Sequence, residues 1–123
     1  MRRWIRARRA PRSNVKVLDG LDVTRMHERL AVGPRVLHAN LLHLGEEWPV
    51  ARQTVRVYVW MTGFEIGSPV EWSGREHAGD YHGVGFWDDL TGGDLVLSAS
   101  VGPLAHLGRG DRVLVAAGHL YGR

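Results

Sequence analysis

Residues 54 to 62, TVRVYVWMT, alternate without a break between apolar side chains and polar or aromatic ones. Successive side chains of a strand point to opposite faces, so a period of two makes this segment a β-strand with two unlike sides. Val55, Val57, Val59 and Met61 fall on the side expected to face a core, and Thr54, Arg56, Tyr58, Trp60 and Thr62 on the other. That second side sets a guanidinium beside two large rings, a combination suited to stacking flat, anionic polymers.

A chain of 123 residues with 44% hydrophobic content is long enough to bury a core as one domain, and 16 glycines fit a turn-rich β fold. The charge is unevenly placed. Residues 1–12, MRRWIRARRAPR, hold six arginines and no acid, whereas the rest of the chain holds ten basic groups against thirteen acidic ones. The expected organisation is a flexible basic arm over residues 1–13 and a single barrel domain over 14–123, the body itself carrying a net charge of about −3. The absence of cysteine excludes disulfides and thiolate metal sites and is compatible with a reducing cytoplasm, the expected location. No stretch of 18 apolar residues exists and the charged N-terminus is not followed by an apolar run, so neither a membrane span nor a secretory signal is expected.

Along the chain, Leu21 to Leu30 has Val23, Met26, His27 and Leu30 at helical spacing behind Asp22, which predicts a short helix ended by Gly33-Pro34. Arg35 to Leu44 fits either a helical stripe or a strand and is read as a strand. Gly63 to Gly79 is rich in Gly, Ser, Pro and charge and predicts a long mobile loop. Tyr81 to Trp87 alternates again, with Val84 and Phe86 on the core side and Tyr81 and Trp87 opposite; the glycines between them predict a bulge or a close approach. Asp88 to Gly93 is a turn, Asp94 to Val101 a strand, Leu104 to Leu107 a stub of helix after Gly102-Pro103, and Arg112 to Leu120 a central strand apolar on both faces.

The order strand, Asp/Thr/Gly turn, strand, short helix, Gly-Asp turn, strand resembles the oligonucleotide-binding (OB) fold, a five-stranded Greek-key barrel with a helix between its third and fourth strands. DLVLSASVGPLAHLGRGDRVLVAAGHLYGR, residues 94–123, is similar in layout to the latter part of bacterial single-stranded-DNA-binding proteins, and WPVARQTVRVYV, residues 48–59, to their second strand. The resemblance implies a mainly β, OB-like barrel of about five strands with one or two short helices; in departure from the family pattern, its closure is expected to use an N-terminal segment such as 35–44. It also implies binding of single-stranded DNA or RNA by ring stacking and a basic groove, often in an oligomer.

On that reading Arg56, Tyr58, Trp60 and Trp87 form the binding face, Trp72 and Arg75 add loop contacts, and Arg2, Arg3, Arg6, Arg8 and Arg9 of the arm clamp phosphates. Each of these tryptophans has an alternative as core filler, and the whole aromatic face an alternative as a hot-spot patch for a partner subunit. His77, Asp80 and His82, with His38 and His43, carry metal-ligating groups, but their spacing matches no established motif, and neither metal nor cofactor is expected. Asp88-Asp89 is a carboxylate pair, read as a hairpin corner before an acid-base pair. With no nucleophile elbow, phosphate loop or dinucleotide fingerprint in the chain, the expectation is a binding protein and not an enzyme.

Overall fold

The computed structural model describes residues 15–18, 21–26, 31–61 and 63–121; the arm and its arginines Arg2, Arg3, Arg6, Arg8 and Arg9 lie outside the described residues. Eleven strand segments run through the described part: β1 (Val15–Leu18), β2 (Asp22–Met26), β3 (Gly33–His43), β4 (Glu46–Glu47), β5 (Gln53–Val59), β6 (Gly63–Ile66), β7 (Val70–Ser73), β8 (Gly79–Trp87), β9 (Leu95–Leu107), β10 (Arg112–Val115) and β11 (Gly118–Tyr121). No helix occurs among the described residues.

Seven strands form an antiparallel sheet in the order β11-β6-β5-β3-β8-β9-β2, with the two-residue β4 added on β3. The end strands β11 and β2 come alongside one another, so this sheet is a nearly closed barrel. A second, three-stranded sheet has the order β1-β10-β7, with β1 parallel to β10. The Gln53 side chain joins the two sheets, accepting from the Glu71 N–H at 3.2 Å and donating to the Glu71 carbonyl.

The core follows from the alternation. Val55, Val57 and Val59 of β5 are almost wholly buried, as are Leu37, Ala39 and Leu41 across the β3 pairing. Phe64 and Phe86 meet edge to face at 5.5 Å near the centre, each with no exposed surface. Val84, Leu97 and Ala99 complete the interior as the strand patterns require.

Several expectations are corrected. The barrel has more than five strands, and among the described residues it lacks the expected helices: residues 22–26 and 104–107 lie in β2 and β9, since a register shift between Val23 and Arg25 lets Val23 and Met26 both pack on the core from a strand and β9 runs on through Pro103, while residues 27–30 of the first expected helix lie outside the described residues. The stretch 63–79 is mostly ordered as β6 and β7, whose Phe64, Ile66, Val70 and Trp72 alternate inward on either side of the Gly67–Pro69 break. Closure falls to β11 and β2, while β3 sits centrally between β5 and β8. Arg112 to Leu120 divides into β10, central in the small sheet, and β11, at the end of the large one. Met61 lies past the end of β5 and is 90% exposed instead of buried.

Candidate functional site

Tyr81 and Trp87 do not share a face. The β8–β9 register shifts between Tyr81 and Gly83, and this bulge turns Tyr81 into the core, where it is fully buried. Trp87 stays on the outer side, yet it is 8% exposed, and the Arg52 side chain from the loop between β4 and β5 lies over its ring.

The loop is held by a polar clasp. Arg52 grips Glu47 through two parallel bonds, Nε to Oε2 at 2.8 Å and a terminal nitrogen to Oε1 at 2.9 Å. Its other terminal nitrogen donates to the carbonyls of Asp89 and Gly92 at 2.8 and 2.6 Å, and the guanidinium lies 4.3 Å over the Trp87 ring. Buried Asn40 donates to Glu47 and to the carbonyls of Trp48 and Val50. The Arg52 hydrogen bond, supported by that from Asn40, holds the Glu47 carboxyl below its usual range despite the opposing effect of burial, and the same pairing raises Arg52. The glycines of β8 serve this packing: a Cβ on Gly85 would stand 2.8 Å from the Trp87 ring, and one on Gly83 would stand 2.8 Å from the Ala99 carbonyl oxygen.

Trp87 is therefore committed to covering the sheet, a correction to its expected place on an open binding face. Trp72 is corrected likewise: it belongs to β7, points inward and is 4% exposed. Arg75 is exposed in the turn after β7, away from β5 in the chain and in a different sheet connection. Asp88 and Asp89 cap their own turn, accepting from the Asp94 and Leu90 N–H groups at 2.8 and 2.7 Å, as a hairpin corner does. Among the described residues no three His, Asp or Glu side chains are grouped so as to hold a metal ion.

Arg56 and Tyr58 on the outer face of β5 and Trp60 just past its end remain together, all exposed. The rings of Tyr58 and Trp60 contact each other at 4.5 Å with a 46° tilt, forming one apolar ridge instead of two separate platforms. The register supplies neighbours that single-strand patterning could not: Pro34 lies opposite Tyr58 on β3, Val36 opposite Arg56, and Glu65 of β6 opposite Tyr58 on the other side. Val36 is 55% exposed, and exposed Val32 and Met61 flank the same end of the β3–β5 pair. The signal for these residues was β3 itself, whose even-numbered side chains share the face once β3 is paired with β5.

The chain matches no family model, no curated protein and no solved structure. The face offers aliphatic and aromatic surface, with Arg56 on the same strand as Tyr58 and Glu65 opposite Tyr58 on β6.

Proposed function

We propose that this chain is a non-catalytic assembly module that pairs with a second copy of itself through the outer face of β3 and β5. The observation that supports this reading is the exposed ridge of Tyr58 and Trp60 with Val36 beside it, flanked by charges of both signs. A two-fold interface sets residue i against j and j against i, so a face bearing both Arg56 and Glu65 can complement itself, while the ridge supplies the desolvated centre. Sedimentation velocity over a concentration series tests it. The native chain should associate, Trp60→Ala should weaken association by tenfold or more with little change in melting temperature, and Arg56→Glu should weaken it again. An equimolar mixture of Arg56→Glu and Glu65→Arg chains should restore pairing. A monomer at every concentration, or association indifferent to Trp60→Ala, would reject the proposal.

A second reading, single-stranded nucleic-acid binding on an OB-like barrel, is favoured by Arg56 standing on the same exposed face as Tyr58 and Trp60. It predicts that a labelled thirty-base oligonucleotide binds the native chain, that Trp60→Ala costs about 1–3 kcal/mol of that binding, and that affinity falls steeply between low and moderate salt. A protein interface built on this ridge responds weakly to the same change in salt.

A further inference from the structure

Away from that face, a cleft of about 250 Å³ opens between the small sheet and the β8–β9 arm of the barrel. β1 contributes Val15 and Lys16, β10 contributes Arg112 and Val113 with Asp111 from the turn before it, β9 contributes His106 and Leu107, and Tyr81 of β8 lines it from the interior. Its volume lies below the roughly 300–1,000 Å³ of sites for drug-sized ligands, so a fitting molecule is small.

Tyr81 sets the chemistry. The residue has no exposed surface, and its hydroxyl has no hydrogen-bond partner among the described residues. Leaving a buried hydroxyl unpaired costs about 1–3 kcal/mol, a cost that phenylalanine would avoid in an otherwise apolar position. Leu107 and Val113 beside it are buried and apolar, while Lys16 and Arg112 are exposed at the rim. Of the charged groups lining the cleft, Asp111 accepts from the Gly108 N–H at 3.2 Å, Arg112 lies 3.4 Å from Glu71 and His106 is 2.7 Å from Asp80, which leaves Lys16 as the cation with no ion pair among the described residues.

We propose that this cleft is a binding site for a small organic carboxylate, its apolar body against Leu107 and Val113, its anionic end receiving the Tyr81 hydroxyl and attracted by Lys16 and Arg112. Burial pushes the Tyr81 phenol above its ordinary range, so it remains a proton donor at neutral pH. A donor inside and cations at the rim favour an anion over a neutral molecule of the same shape.

Titration of the full chain with benzoate, followed by calorimetry or protein NMR, tests the site, with benzyl alcohol as the neutral analogue. Benzoate should bind saturably and more tightly than benzyl alcohol. Tyr81→Phe should weaken benzoate binding about tenfold or more, the equivalent of losing one hydrogen bond to a charged group, and Lys16→Met by up to about fivefold at low salt. Tyr81→Phe should also leave the melting temperature of the unliganded protein unchanged or raised, which a structural role for the hydroxyl would not allow. No saturable binding, benzoate binding indifferent to Tyr81→Phe, equal affinity for benzyl alcohol, or a melting temperature lowered by Tyr81→Phe would each overturn the assignment.

Discussion

Arg52 engages four of its five N–H donors and one aromatic face, and its side chain is only 8% exposed. A guanidinium so enclosed is stable only while its carboxylate partner is charged, because the alternative is a buried cation with unmet donors. Glu47→Gln should therefore lower stability at neutral pH by about 1–2 kcal/mol, read from urea unfolding. The pH dependence follows from the direction of the Glu47 shift. In the fold its carboxyl sits below the ordinary range, to which it returns on unfolding, so its contribution is complete above the ordinary glutamate range and is lost as pH falls below that range through the lowered folded value. The stability gap between the native chain and Glu47→Gln should narrow progressively between pH 5 and pH 3; a gap constant over that range would show that the carboxylate does not carry the clasp. Trp87→Ala, by the same geometry, should act as a stability variant that opens the loop between β4 and β5, with a loss of about 3 kcal/mol or more.

β8 shows how far an element can be read from its own residues. Its alternation correctly set Val84 and Phe86 inward, and its glycines do mark a bulge, but the parity of Tyr81 was lost across that bulge, which only the pairing with β9 defines. β5 was legible because its period is unbroken and only one side is buried. β9 was legible only in its first part, where Leu97 and Ala99 do point inward: Gly102-Pro103 reads as a strand end, yet both residues lie where β8 advances from Tyr81 to Gly83 while β9 advances from Ala105 back to Ser100. Proline is tolerated in such an irregular stretch because no ladder bond is required of it there. β6 and β7 were hidden by the composition of the turn between them, although their inward residues keep a period of two. Of the expected face, Arg56, Tyr58 and Trp60 could be read from one strand, whereas the burial of Trp72 and Trp87 depended on neighbours distant in sequence. The close packing of β8 gives its own test. Gly83→Ala places a methyl against the rigid Ala99 backbone, so it should cost about 1–3 kcal/mol by thermal or urea unfolding, and an unchanged midpoint would mean that β8 and β9 are less closely paired than 2.8 Å implies.

At the scale of the molecule, the barrel depends on a late strand. β11 pairs antiparallel with β6 from Gly118 opposite Ile66 to Tyr121 opposite Gly63, and it brings the sheet round to β2. Without it, β6 becomes an edge strand carrying Phe64 and Ile66, both essentially fully buried in the closed form. Exposed edges with apolar side chains pair with other chains, so closure protects against aggregation as well as adding stability. It also separates wanted from unwanted association: the β3–β5 face would join copies through side chains, whereas an opened β6 edge would join them through backbone hydrogen bonds. Removing residues 118–123 should therefore lower the melting temperature by several degrees or more and produce aggregates that Trp60→Ala does not disperse, measured by light scattering during a thermal ramp. A truncated chain that melts like the native one and keeps the native association state would show that β11 is ornamental and that β6 is sealed by other means.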